Sequence, residues 1–452
     1  MKKRMMRTLC LAYLMLCLLF SPLCHAQSNQ SNNEQYDSLW SLGKDYAVTN
    51  KENGTKVQHG FIDYTGKVIV PCEYDWYFAF TDDVVAVKKN DKWGYFDKSG
   101  NIVVPFEYDN AAPFSEGLAA VKNGDKYGYI DKTGKSVLPF EYDMASYFSE
   151  GIAPVQKGNK WYYINKTGTP AFSADYDYAD FFRKGDLLAR VQNNGKYGYI
   201  DKTGTLIVPY IYDDAEAFGG DDYACVQKDG RYGIINTTGE LVIPCEYDDA
   251  DYFGGDIRMQ KNGKWGLVDI TGKLIIPCGY DYRSSVPSFD EGLAPIQQEQ
   301  TGKWGYIDRT GTLVIPYQYS QAYSFHEGYA HVSLGNKHGY IDKRGSIHLG
   351  PNYYDASDFS EGLAVVEDAY GKYYYIDMHG RMTINRKFDY ACSFRNGFAK
   401  VQISGKYGYI DKSGKEIVPC EFDFIAVCNG NFLCLNNGYL QVFDQNGHSV
   451  SP

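Results

Sequence analysis

The chain has 452 residues, of which 44% are hydrophobic, 22% charged and 16% aromatic, and its formal charge is −11. That apolar content excludes a disordered chain, and the acidic balance argues against a nucleic-acid partner, whose phosphates are neutralised by Lys and Arg. With 42 Tyr and 47 Gly against 8 Met, the composition suits turn-rich antiparallel β structure and predicts an all-β protein.

Residues 1–26 read as a secretory signal: Lys2, Lys3, Arg4 and Arg7, then the apolar run Leu9 to Phe20, then Cys24-His25-Ala26 before Gln27. The run is too short to span a bilayer, and no later segment is long and apolar enough, so no transmembrane segment is expected once the signal is removed. Bulky Leu23 argues against lipidation at Cys24, and cleavage is expected after Ala26. Losing four basic and no acidic residues moves the charge from −11 to −15. The mature chain is expected in the periplasm, at the cell surface or secreted. It keeps Cys72, Cys225, Cys245, Cys278, Cys392, Cys420, Cys428 and Cys434. An oxidising compartment permits disulfides, but four of these share a slot after Pro that elsewhere holds Phe106, Phe140, Tyr210 or Tyr317, so unpaired core thiols are the favoured reading.

Residues 27–44 form a leader, Gln, Asn and Ser rich at its start, and 45–450 form one repeat array. Lys126-Tyr127-Gly128-Tyr129-Ile130-Asp131-Lys132-Thr133-Gly134 recurs, in strict or loose form, with its closing Gly at 66, 100, 134, 168, 204, 239, 272, 311, 345, 380, 414 and 447. The period is about 34 residues, and the one long step holds the insertion around Gln297 to Thr301. In each copy a strand such as Leu118 to Lys122 turns at Asn123-Gly124-Asp125 into Lys126 to Asp131, which places Tyr127, Tyr129 and Asp131 on one face and Gly128 and Ile130 on the other. The Asp131 carboxylate is placed to cap the next turn, where Gly134 takes a positive φ before a third strand, Ser136 to Leu138. Pro139 is expected to end that strand. A three-stranded meander of this size cannot bury its aromatic face alone, so about twelve copies must stack on one another.

The pairs Trp93-Gly94, Trp265-Gly266 and Trp304-Gly305, with Asp97 and Gly100 completing the first phrase, resemble the bacterial WG-containing repeat over residues 45 to 450. The Trp slot holds Tyr127 and other tyrosines, or His59 and His338, and the Gly slot holds Tyr162, Tyr374 and Gln441 in three copies. The resemblance implies an all-β array in exported proteins and no established activity. An open solenoid or superhelix is favoured over a propeller-like ring, because twelve units exceed the usual four to eight blades and the degenerate terminal copies look like caps.

No catalytic motif stands out. The recurring Asp is replaced by Asn165 and Asn236, which cap turns equally well, and His338 merely fills an aromatic slot; neither a metal nor a cofactor is expected, and the chain reads as non-enzymatic. The function expected is an interaction scaffold for an envelope or extracellular protein. The alternative is a carbohydrate or peptidoglycan binder that uses Trp161, Tyr162 and Tyr163 with Tyr373, Tyr374 and Tyr375, the two clusters where the paired Gly is lost.

Overall fold

Alternating side chains send each strand's two faces to different neighbours, and this dictates the architecture. The computed structural model describes residues 36–42, 45–54, 56–218, 222–253, 256–280, 288–298, 300–437 and 439–450. The expected signal, residues 1–26, and residues 27–35 lie outside them. In the third copy Leu118–Asn123 pairs antiparallel with Lys126–Asp131, which pairs in turn with Ser136–Tyr142. That last strand does not end at Pro139. It runs through the proline with register irregularities opposite Tyr127 to Ile130, at the sheet edge, where a missing N–H costs no ladder bond. A further two-residue strand, Asn110–Ala111, pairs with the other side of Leu118–Asn123. The unit is therefore a four-stranded meander in eight of the described sheets and three-stranded in four. The expected leader is also shorter than residues 27–44, because Ser38–Leu42 pairs with Tyr46–Asn50 as the first strand of the first sheet.

Only Asp109 separates the strand Ile102–Tyr108 from Asn110–Ala111 of the next sheet, so consecutive sheets are held face to face. Among the described residues the buried apolar side chains form twelve clusters, each shared by two sheets. In one, Ala86, Trp93, Tyr95 and Val104 of the second sheet meet Phe114, Ala119, Val121 and Ile130 of the third. The decisive cluster joins the two ends of the chain: Leu39, Ala47, Ile62 and Cys72 of the first sheet pack with Phe424, Cys428, Leu433 and Val442 of the last. Asn431 Nδ2 also donates to the Tyr64 carbonyl at 3.0 Å across this seam.

Twelve sheets with twelve seams make a closed, propeller-like ring, where an open stack would have one seam fewer. The ring, not the open superhelix, is thus the arrangement formed. The terminal copies are not polar caps; their outward faces are as apolar as any inner face and bury each other. Closure uses no strand pairing, since among the described residues each strand pairs only within its own sheet. A buried Ala recurs in the second strand at 47, 119, 153, 189, 224, 294, 330, 364 and 399. Among the described residues Cys225, Cys245, Cys278, Cys392, Cys420 and Cys434 are free thiols, and Cys72, Cys225, Cys428 and Cys434 are buried. No helix among the described residues is long and apolar enough to cross a membrane.

Candidate functional site

The meander puts the turns between second and third strands, together with the Tyr-Asp corners, on one rim of the ring, and the remaining turns on the other. On the second rim the recurring Asp and Gly build the turn as a unit. Asp131 Oδ1 accepts from the Thr133 and Lys135 N–H groups at 2.9 and 3.1 Å and from the Thr133 hydroxyl at 2.6 Å, while Gly134 sits at φ 81°. Asp97 Oδ1 likewise accepts from the Ser99 and Asn101 N–H groups on either side of Gly100. Asn165 and Asn236 make the same backbone bonds in their copies. The Thr133 hydroxyl, then the backbone bonds, hold the Asp131 carboxyl below its ordinary value. Glutamates of this rim tie one sheet to the next: Glu116 Oε2 accepts from Gly151 N–H at 3.1 Å and meets Lys166 Nζ at 3.1 Å.

The seams are latched from within. Tyr129, fully buried, donates its hydroxyl to the Ser146 carbonyl of the following sheet at 2.6 Å, and Tyr95, Tyr306 and Tyr340 reach Ala112, Tyr323 and Ser357 in the same way. Desolvation pushes the Tyr129 hydroxyl far above its ordinary pKa, so it stays a donor. On the first rim, Lys126 Nζ bonds Asp143 Oδ1 at 2.5 Å, and the other oxygen of Asp143 accepts from Gly158 N–H at 2.7 Å; Lys92, Asp109 and Gly124 repeat the arrangement.

Trp93 and Trp265 are buried in seams, and Tyr127 and Trp304 are half-buried against them. The paired Gly is compulsory wherever the irregular last strand crosses it: a Cβ on Gly94, Gly128, Gly266 or Gly305 would stand 2.8, 2.9, 2.6 or 2.4 Å from a backbone carbonyl oxygen. In the copies with Tyr162 and Tyr374 that strand is lost, and only single bridges remain, Trp161 with Tyr176 and Ile164 with Pro170 in one, Tyr373 with Phe388 and Ile376 with Met382 in the other.

The two clusters expected to bind glycan are thus divided. Tyr163 and Tyr375 are fully buried latch residues, bonded to the Asp180 and Cys392 carbonyls, and cannot touch a ligand. Trp161, Tyr162, Tyr373 and Tyr374 are half-buried seam residues. Tyr162 lies against Tyr142, and Lys387 Nζ sits 5.5 Å from the Tyr374 ring centre. Other aromatics of this rim are exposed. Tyr370 is 87% exposed at the tip of a hairpin and Trp76 59% at a corner; Tyr354 and Tyr390 are also exposed, and Tyr390 lies edge-on to Tyr373 at 6.1 Å. Tyr370 stands where most copies have a turn-forming Asn or Gly, the one signal by which it was findable.

His331 is buried with Nδ1 2.8 Å from Asp358, which His326 also meets at 3.3 Å, and Tyr323 stacks on its ring. No group of three metal-ligating side chains forms among the described residues.

Eleven consecutive matches to the WG containing repeat cover residues 60–93, 93–127, 127–161, 163–197, 197–232, 232–265, 265–301, 304–337, 339–373, 375–407 and 407–435. The chain belongs to this family. No curated protein matches it. Among solved structures it is similar to a eukaryotic initiation factor at 12% identity, covering 68% of this chain and 97% of that one with a TM-score of 0.31. Hsv2p of Kluyveromyces lactis is 10% identical over 52% and 97% of the two chains, TM-score 0.30. The extracellular domain of BT4673 from B. thetaiotaomicron is 11% identical over 96% and 78%, TM-score 0.25. In this WG-repeat chain the family's Trp, Gly and Asp positions are the seam and turn residues just described.

Proposed function

We propose that the protein is an exported, non-enzymatic binding module, a ring-shaped scaffold for an envelope or extracellular protein. The observation that supports it is the division of labour in the repeat. Recurring Asp, Lys and Tyr side chains are engaged in turns and seams, while exposed aromatics, Trp76, Tyr354, Tyr370 and Tyr390, stand on the hairpin rim. Exposed aromatic anchors on a rigid frame are what protein partners use as binding hot spots. The test is capture of envelope proteins by immobilised residues 27–452 and by a Trp76→Ala/Tyr370→Ala variant. A partner identified with the wild type and lost with the variant supports the scaffold; equal capture by both removes the rim from the reading.

The contact between Tyr373 and Tyr390 favours a second reading, a glycan stacked on the rim. Retention on peptidoglycan that disappears in Tyr390→Ala while protein capture persists would select it.

A further inference from the structure

Two seams of the ring are twins except for one ring. In the seam between the first two sheets Phe106 stacks on Tyr74, centroids 5.5 Å apart and planes inclined by 16°. In the next seam Phe140 covers Tyr108 at 6.2 Å and 19°. Register along the repeats places Tyr247 with Tyr74 and Cys278 with Phe106, each of the latter pair lying over the Gly of its Trp-Gly, Gly266 and Gly94. The surroundings also correspond, with Glu246, Lys261, Asn262 and Lys264 in the places of Glu73, Lys89, Asn90 and Lys92. Lys89 Nζ stands 5.3 Å from the Tyr74 ring centre and 2.9 Å from Glu73; Lys261 Nζ stands 5.2 Å from that of Tyr247 and 3.5 Å from Glu246.

Cysteine is too short to cover the tyrosine as phenylalanine does. Where the ring is missing the surface has a hollow of about 340 Å³, lined by Tyr247, Lys261, Asn262, Lys264, Leu274 and Cys278. Burial raises the Cys278 thiol above its ordinary pKa, so at neutral pH it is an uncharged wall. The hollow keeps a tyrosine face and an apolar flank from Leu274, and the Lys261 ammonium, 3.5 Å from Glu246, lies beside the tyrosine. We propose that it is a binding site for a flat aromatic ring carrying a carboxylate, the ring stacking on Tyr247 where the twin seam uses its own Phe106 and the carboxylate meeting Lys261. A free aromatic acid and the carboxy-terminal aromatic residue of a protein share this chemistry. The site does not depend on what the hairpin rim binds.

The experiment is titration of residues 27–452 with phenylacetate, followed by saturation-transfer NMR, with the dissociation constant expected on the order of millimolar for so small a ligand. Cys278→Phe, which restores the twin's ring above Gly266, should weaken binding by about ten-fold or more with an unchanged circular dichroism spectrum. Phe106→Cys should open a second site and double the amount bound. Benzylamine, with the charge reversed, should bind more weakly than phenylacetate. A peptide ending in Phe that binds ten-fold more tightly than phenylacetate would support a protein tail as the source, and equal or weaker binding a free acid. The assignment is overturned if phenylacetate binding survives Cys278→Phe, if it is lost instead in Cys245→Phe of the neighbouring seam, if benzylamine binds as well, or if neither the wild type nor Phe106→Cys binds.

Discussion

A hydroxyl buried in a seam costs free energy unless it finds an acceptor, and Tyr129 finds one in the next sheet, at the Ser146 carbonyl. Tyr129→Phe keeps the packing and strands that carbonyl, so a loss of about 1–3 kcal/mol is expected in urea unfolding. A loss no larger than that of an exposed Tyr370→Phe control would show that the latch contributes nothing. The paired Gly is governed by space: in Gly128→Ala the new Cβ meets the Leu138 carbonyl at 2.9 Å and the Phe140 ring at 3.0 Å, and overpacking of about 1–3 kcal/mol follows. That Tyr129, Tyr127 and Asp131 share a face was legible from alternation. That the hydroxyl is consumed by a sheet seventeen residues onward was not, and for the same reason Tyr163 and Tyr375 passed for surface aromatics.

Turns are the element whose chemistry the sequence states most openly. Side-chain bonds from Thr133, Thr203, Thr271 and Thr310, then backbone bonds, hold Asp131, Asp201, Asp269 and Asp308 below the ordinary value of 3.8. A carboxyl whose folded pKa is depressed contributes stability above its unfolded pKa and loses it as pH falls through the folded one. Stability should therefore be level near neutrality and decline below about pH 4. Asp131→Asn keeps the acceptor, as Asn165 does, and should leave neutral-pH stability nearly unchanged while reducing the acid slope; Asp131→Ala should lower the midpoint at neutral pH. Urea titrations at pH 7 and pH 3 separate these outcomes. The strand after each turn was harder to read. Pro139 signals an end in a central strand, but at an edge it is tolerated, and edge position is a property of the assembled sheet.

For the whole molecule the question is what covers the two ends. Leu39 and Leu433 are both fully buried, each by the other's sheet. In a closed ring Leu39→Ala and Leu433→Ala should each cost about 2–5 kcal/mol, and the double mutant should depart from additivity. In an open array both would lie on free terminal faces and cost little, so a double-mutant cycle by chemical denaturation distinguishes the two. Small-angle scattering gives an independent check, since a ring is compact and an open superhelix of the same chain is longer.

The period, the alternation within each strand and the turn chemistry are local, and the sequence by itself determined them: an all-β chain, about twelve copies, and hairpins and capped turns where they stand. Whether the stack closes is not local. It depends on the turn from each sheet to the next, accumulated over every seam until the last sheet meets the first. No single repeat carries that sum, so only the tertiary structure could decide between ring and superhelix, and with it which aromatics are spent inside and which are left on the rim.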